Sequence, residues 1–142
     1  MTVYLDTSVL LRIVFGQKDA LRNWGTIEAA MASELVRVEA LRTIDRARLR
    51  ESLSDHDVAD LRADVLEVLK GCHLVPIDAA ILERSSEPFP TALGTLDAIH
   101  LATALLVRAE QPGLLFATHD RALATAARAV GFRVLGAPAE AG

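Results

Sequence analysis

Short apolar runs alternate along the chain with longer segments in which apolar residues recur every three or four positions. The short runs are typical of strands buried on both faces, and the longer segments are typical of helices. The predicted strands are Val3–Leu5, His73–Ile77, Leu114–Thr118 and the shorter run Arg133–Leu135. The predicted helices are Val9–Phe15, Leu35–Leu49, Val58–Leu69, Leu96–Ala109 and Ala122–Val130. Strands separated by helices need parallel crossovers, so the pattern predicts an α/β fold.

The first three predicted strands each lead into an aspartate. Asp6 follows the run VYL, Asp78 follows HLVPI, and Asp120 follows LLFATH. Because binding sites form outside the carboxyl ends of parallel strands, this pattern places three carboxylates at one edge of the sheet. Aspartate is also a good helix N-cap. We interpret Asp78 as a cap because DAAILER is an ordinary helix start, whereas Asp6 and Asp120 are consistent with a cap or with a working group.

Two further carboxylates lie on predicted helices. Asp97 stands in the first turn of TLDAIHLATALLVRAE, where the helix dipole alone favours an anion. Glu39 flanks an apolar stripe, so it either points along the edge of the core or pairs with Arg42 three positions later. His100 could act as a base, but a satisfied, partly buried histidine is the more common case. The predicted stripe beside Glu39 consists of Leu35, Val38, Leu41 and Ile44.

Composition indicates a globular chain with a core of small and branched apolar residues. Of the 142 residues, 51% are hydrophobic and only 4% are aromatic, which predicts one domain over residues 1–142 with a core of Ala, Leu, Val and Ile. The mean hydropathy of +0.29 predicts apolar surface kept for a partner or a second copy, most simply in a homodimer. The chain lacks a convincing signal peptide and a membrane-spanning run, so we expect a soluble, cytoplasmic protein that does not contact a membrane.

The carboxylates predict a site for a hard cation. Crowded carboxylates repel one another, which raises some of their pKa values and creates a demand for positive charge. The single cysteine, Cys72, excludes an internal disulfide and a zinc site built from cysteines. Oxygen ligands without cysteine favour Mg²⁺ or Mn²⁺. Carboxylate clusters that hold such ions are typical of enzymes that hydrolyse phosphodiester bonds.

Four motifs resemble those of the PIN-domain ribonucleases, and especially the VapC-type toxins of bacterial toxin–antitoxin pairs. In order they are VYLDTSVLLRI, SELVRVEALR, TLDAIHLATAL and FATHDRALATAARAVGFRVL. The resemblance implies a three-layer α/β/α sandwich with a short central parallel sheet. It also implies a metal-dependent endoribonuclease in which activated water attacks the RNA phosphodiester bond. The four acids that the family places around Mg²⁺ or Mn²⁺ correspond here to Asp6, Glu39, Asp97 and Asp120.

The same resemblance assigns further residues and partners. A hydroxyl after the first aspartate usually helps to arrange the site, which nominates Ser8, and the threonine of the last motif corresponds to Thr118. The implied partners are an RNA substrate, a cognate antitoxin and a second copy of the chain. Trp24 is consistent with such a partner surface, or with a core position that closes the second helix.

Two features leave the function open. The net charge of −4 does not favour RNA, although RTIDRARLR carries four arginines that either contact phosphates or form a solvated helix face. The main alternative is a catalytically silent PIN-like module that holds RNA or a peptide. An aspartyl phosphotransferase is disfavoured because no second aspartate stands two positions after Asp6. The four arginines are Arg42, Arg46, Arg48 and Arg50.

Overall fold

A five-stranded parallel sheet forms the middle layer of the molecule. The structure, a computed structural model, describes residues 1–22 and 24–138. The strands are β1 (Thr2–Leu5), β2 (Ala29–Ser33), β3 (Cys72–Val75), β4 (Leu115–Ala117) and β5 (Val134–Leu135), in the spatial order β3-β2-β1-β4-β5. The helices are α1 (Thr7–Val14), α2 (Leu35–Glu51), α3 (Asp55–Lys70), α4 (Ala79–Ser85), α5 (Thr95–Glu110) and α6 (Arg121–Ala129).

Alternation along β1 divides the core into two halves, one on each face of the sheet. Val3 and Leu5 face a cluster formed with α1, α2 and α3, whereas Tyr4 faces a cluster formed with α5 and α6. All three side chains are fully buried. Helices on both faces of a parallel sheet make three layers, so the predicted α/β/α fold is confirmed. The extent of a single domain over residues 1–142 stays a prediction.

The sequence pattern missed strand β2. Its residues AAMAS include no β-branched or aromatic residue, so local propensity does not indicate a strand. Burial explains why the segment is extended, because β2 lies between β1 and β3 and its backbone groups are paired on both sides. Met31 pairs with Tyr4 on one side and with His73 on the other. The tertiary position of the segment therefore outweighs its composition.

Helix α2 packs on the core through a stripe that overlaps the predicted one only in part. The buried residues are Val36, Ala40 and Ile44, and Leu41 is partly buried against the same cluster, whereas Val38 is 56% exposed. The prediction is confirmed for Ile44 and Leu41 and wrong for Val38. This packing places Glu39 at the border between the core and solvent, as its position beside an apolar stripe predicted. It also leaves an exposed apolar side chain close to the edge of the sheet where the carboxylates gather.

Trp24 lies in a short 3₁₀ turn, Trp24–Thr26, and not at the end of a helix. Its side chain is partly buried and packs against the core cluster beneath α1, α2 and α3. This contact agrees with the core interpretation of the residue. Within residues 1–22 and 24–138, no helix is long and apolar enough to cross a membrane.

Candidate active site at the carboxyl edge of the sheet

Asp6 ends the central strand β1 and is only 4% exposed. The Ser8 hydroxyl donates to Oδ1 at 2.6 Å, the Thr118 hydroxyl donates to Oδ2 at 2.6 Å, and the Val9 N–H donates to Oδ1 at 3.3 Å. Burial raises the pKa of Asp6, and the two hydroxyls act against that rise. Asp6 is thus the N-cap of α1 and, at the same time, a buried carboxylate at the centre of the sheet edge.

The two hydroxyls that donate to Asp6 also accept hydrogen bonds from the segment that follows β4. Ser8 Oγ accepts the His119 N–H at 2.9 Å, and Thr118 Oγ1 accepts the Asp120 N–H at 3.0 Å. The first turn of α1 and the segment after β4 are therefore cross-linked through the Asp6 carboxylate. The role of Ser8 and Thr118 in arranging the site, which the family resemblance implies, stays a prediction.

Glu39 reaches the same edge from α2. The Thr7 hydroxyl donates to Glu39 Oε1 at 2.8 Å, and His100 Nε2 lies 2.6 Å from the same oxygen. Burial would raise the pKa of Glu39, but the bonds to His100 and Thr7 outweigh burial and lower it. Glu39 therefore remains a carboxylate, and its partners are Thr7 and His100 rather than Arg42.

His100 is 2% exposed and uses both ring nitrogens. Its Nδ1 lies 2.9 Å from the Tyr4 hydroxyl, and burial raises the pKa of Tyr4, which keeps that hydroxyl protonated. Because a carboxylate only accepts, Nε2 must donate to Glu39, and in the neutral ring Nδ1 then accepts the Tyr4 O–H. The satisfied-histidine interpretation of His100 agrees with this geometry.

Asp97 and Asp120 complete the acidic edge. Asp97 stands in the first turn of α5 and is half-buried, and Asp120 caps α6 by accepting the Leu123 N–H at 2.8 Å. Burial raises the pKa of Asp97, the charges of Asp120, Asp6 and Glu39 raise it further, and His100 acts against that rise. Asp97 therefore lies within electrostatic reach of the other three carboxylates at this edge.

Asp78 lies apart from this group. It follows β3, at the far edge of the sheet, and caps α4 by accepting the Ile81 N–H at 3.0 Å. The cap interpretation of Asp78 agrees with this position. Sequence reasoning missed the contact of Tyr4 with His100 and the hydrogen bond from Thr7 to Glu39. The residues next to Tyr4 and Thr7 in the chain do not indicate these distant partners.

The donor chemistry of the acidic edge fits a hard divalent cation. Asp6, Glu39, Asp97 and Asp120 offer oxygen ligands only, which Mg²⁺ and Mn²⁺ prefer. In the part of the chain that the structure describes, no three acidic, histidine or cysteine side chains stand close enough together to hold a metal ion. The neighbouring carboxylates raise the pKa of Asp97, and a bound cation would offset that repulsion.

A groove of about 380 Å³ opens beside the carboxylates, between α1 and α2. Thr7, Ser8 and Glu39 form its acidic end, and Arg42 and Arg46 line it further along α2. Its remaining lining is mainly apolar and consists of Leu11, Leu35, Val38, Thr43 and Leu96.

Comparisons with known proteins agree with the α/β/α fold. The family model of the PIN domain matches residues 3–129. Ribonuclease VapC45 of Mycobacterium tuberculosis is 32% identical over 142 residues, which is 97% of this chain and 96% of that protein. Ribonuclease VapC47 of the same species is 26% identical over 132 residues, which is 92% of this chain and 93% of that protein.

Solved structures show the same fold. VapBC2 from Rickettsia felis, bound to a DNA fragment from its promoter, matches with a TM-score of 0.67 and 13% identity over 94% of this chain and 97% of that chain. A toxin–antitoxin complex from Klebsiella pneumoniae matches with a TM-score of 0.61 and 21% identity over 86% of this chain and 90% of that chain. The family model, the curated relatives and the fold agree, and this chain belongs to the PIN-domain family as a protein of the VapC type.

Proposed function

We propose that this chain is an endoribonuclease toxin that hydrolyses RNA phosphodiester bonds, depends on Mg²⁺ or Mn²⁺, and is neutralised by a cognate antitoxin. The observation that carries the proposal is that Asp6, Glu39, Asp97 and Asp120 lie at one edge of the sheet, where the other three carboxylates raise the pKa of Asp97. Relatives that align over almost the whole chain are named ribonucleases, which supports the reaction class. Similar folds occur in toxin–antitoxin complexes, which supports a protein inhibitor.

Asp6, Glu39, Asp97 and Asp120 are the proposed ligands. A bound divalent cation would acidify water for in-line attack and neutralise charge that develops on the phosphate. Ser8 and Thr118 fix the Asp6 carboxylate, since each donates to a different oxygen. Thr7 and His100 both donate to Oε1 of Glu39, which leaves Oε2 for a ligand.

The histidines offer no competing metal-free mechanism in the described part of the chain. Such a mechanism needs a base and an acid on either side of the phosphate. Both nitrogens of His100 are engaged, and His119 Nδ1 lies 2.9 Å from the Gly136 carbonyl oxygen. The His56 side chain is exposed at the start of α3, beside Asp60, and His73 lies in edge strand β3. Carboxylate chemistry is therefore the better account of this edge.

Exposed apolar side chains support the proposed partners. Val38 and Leu96 border the groove beside the carboxylates, where a segment of the antitoxin would cover the site. Leu82 on α4 and Leu106 on α5 are also exposed, and these two helices pack together. Their apolar surface fits the proposed homodimer. A cytoplasmic location and a single domain over residues 1–142 belong to the same proposal.

The test is an RNA cleavage assay on the purified chain, separated from any copurified partner. We expect cleavage with Mg²⁺ or Mn²⁺, none in EDTA, and inhibition when the partner is added back. Asp97→Asn should be inactive, and Asp78→Asn, the matched control at the far edge of the sheet, should stay active. RNA that binds the folded chain but is never cut under any of these metals would instead support the silent-module alternative.

A further inference from the structure

A row of basic side chains on α2 starts at the acidic edge. With about 3.6 residues per turn, Glu39, Thr43, Arg46 and Arg50 lie on one face of the helix. The rise of about 1.5 Å per residue puts Arg46 and Arg50 roughly 10 and 16 Å along the axis from Glu39. Arg42 lies to the side of this row, and Arg48 lies on the opposite face. The basic residues thus lead away from the carboxylates in one direction.

The same row lines two adjoining cavities. The groove of about 380 Å³ at the carboxylates includes Arg42, Thr43 and Arg46. A second cavity, of about 420 Å³, includes Phe15, Thr43, Arg46 and Arg50, with Glu51 at its far end. Both cavities are lined by Thr43 and Arg46, so they adjoin each other along α2. We call the two together the arginine channel.

The guanidinium groups of the arginine channel are available for a ligand. In the described part of the chain, Arg42, Arg46 and Arg50 form no ion pair, whereas Arg48 pairs with Asp45 at 3.1 Å. Arg46 donates to the Thr43 hydroxyl at 3.2 Å, and Thr43 donates to the Glu39 carbonyl at 2.8 Å. These two bonds direct the Arg46 guanidinium back toward the acidic edge. In a chain of net charge −4, such an unpaired row marks a local preference for anions.

We propose that the arginine channel binds the phosphates of single-stranded RNA on one side of the scissile bond. The proposal rests on the proposed ribonuclease function. Regularly spaced guanidinium groups match a polyphosphate backbone, because each can engage a phosphate with two parallel hydrogen bonds. Backbone contacts of this kind position the strand without reading its sequence. The channel supplies RNA affinity, and the carboxylates supply cleavage.

The experiment measures binding of a fluorescent single-stranded RNA to the full chain in the uncleaving Asp97→Asn background, over a range of KCl concentrations. Arg46→Gln/Arg50→Gln should weaken binding at low salt between about ten- and a hundredfold, and it should lower the salt slope by roughly 1.4. Arg46→Lys/Arg50→Lys keeps the charge and should keep most of that slope. Arg48→Gln is the matched control on the opposite helix face and should change affinity less than about twofold.

Two results would overturn the channel. One is an equal loss of affinity in the Arg48→Gln and Arg46→Gln/Arg50→Gln proteins, with all variants folded by circular dichroism. The other is unchanged RNA binding together with weaker binding of the antitoxin, which would assign the row to a protein partner. The channel fails separately from the ribonuclease function, because cleavage by the unsubstituted chain with Mn²⁺ is measured in parallel. If that chain does not cut RNA, the proposed function itself is wrong.

Discussion

His100 Nε2 lies 2.6 Å from Glu39 Oε1, although 61 residues separate the two in the chain. The contact joins α5 to α2 at the carboxyl edge of the sheet. It is backed by Tyr4, whose hydroxyl lies 2.9 Å from His100 Nδ1. A fully buried strand residue thus fixes the orientation of a histidine, and the histidine fixes one oxygen of a proposed metal ligand. Partners of this kind orient ligands and raise their affinity for metal.

Replacement of His100 should therefore weaken metal binding. We expect His100→Ala to lower Mn²⁺ affinity, measured by calorimetry, between about ten- and a hundredfold, because Glu39 loses a donor and its fixed rotamer. Tyr4→Phe removes only the hydroxyl behind the ring, so it should have a smaller effect in the same direction. A folded His100→Ala protein that binds Mn²⁺ as tightly as the unsubstituted chain would contradict the positioning role.

Asp97→Asn and Asp78→Asn should differ sharply in activity. Both substitutions keep the shape of the side chain, but only Asp97 lies within electrostatic reach of the other carboxylates. We expect Asp97→Asn to lose more than about a hundredfold in cleavage rate, beyond the usual cost of losing a residue that only orients a ligand. Asparagine is as good an N-cap as aspartate, so Asp78→Asn should retain both activity and stability. Initial rates on one RNA, with Tm values for each protein, check this pair.

The acidic edge should make the metal-free protein less stable as pH rises. The pKa values of Asp6 and Asp97 are raised from 3.8, Asp6 by burial and Asp97 by burial and neighbouring carboxylates. The folded chain therefore holds these protons more tightly than the unfolded chain does. Their contribution to the free energy of unfolding is fully present below pH 3.8 and is lost as pH rises through the raised values.

Glu39 contributes in the opposite sense, because its lowered pKa gives stability that is present above pH 4.5 and lost as pH falls through the lowered value. Urea unfolding in EDTA, from about pH 3 to pH 8, covers both windows and separates these contributions. We expect Asp6→Asn/Asp97→Asn to lose less stability than the unsubstituted chain as pH rises over this range. In a parallel series without EDTA, Mn²⁺ should stabilise only the unsubstituted chain at the upper end. Parallel pH profiles for the two proteins would show that the carboxylates do not strain the fold.

The chemical groups at the ends of the RNA products should show which nucleophile attacks the phosphodiester bond. Attack by water leaves a 5′-phosphate and a 3′-hydroxyl, whereas attack by the RNA 2′-hydroxyl leaves a cyclic phosphate. We expect the former, with activity lost in EDTA and restored by Mg²⁺ or Mn²⁺. Ca²⁺ should restore it poorly because its coordination is longer and looser. Ligation and phosphatase treatment of the products distinguish the two, and cyclic ends would rule out the carboxylate mechanism.

Substitution of Gly136 should destabilise the protein because its backbone lies close to that of Thr118. Its φ is +90°, and a Cβ there would lie 2.8 Å from the Thr118 carbonyl oxygen. Gly136→Ala should therefore destabilise the protein by about 1–3 kcal/mol. It should also disturb the Thr118 hydroxyl that holds Asp6. Gly113→Ala is the control, since a Cβ there meets nothing within 4 Å. Urea midpoints that fall equally in both variants would contradict this account.

Local sequence pattern predicted the elements that bury one continuous face or carry a recognisable cap. Strands β1 and β4 and helices α5 and α6 lie close to their predicted bounds, because apolar runs and periodicity are properties of neighbouring residues. Strand β2 was missed because its extended form comes from pairing with β1 and β3. The apolar stripe of α2 was right for Ile44 and wrong for Val38, since the pattern contains two overlapping sets and packing favours the one with Val36 and Ala40.

The sequence indicates which carboxylates lie at this edge of the sheet, but it does not indicate which side chains they bond to. Asp6 and Asp120 follow strands, so their edge of the sheet can be inferred from the chain alone. The contact between Tyr4 and His100 spans 96 residues and depends on which face of β1 meets α5. The same holds for Thr118 and Asp6, which are 112 residues apart. Such pairs follow from tertiary packing, and no short window of sequence contains both members.

The position of β1 at the centre of the sheet has a consequence for synthesis of the protein. Its partner β2 is made soon afterwards, but its other partner, β4, begins only at Leu115. Asp6 and Glu39 therefore leave the ribosome long before Asp97 and Asp120, and Thr118 must arrive before Asp6 has both of its hydroxyl partners. A nascent chain that stops between α5 and β4 carries Asp6, Glu39 and Asp97 on an incomplete sheet and lacks Asp120. The proposed metal site is therefore complete only after β4 and the start of α6 have been made.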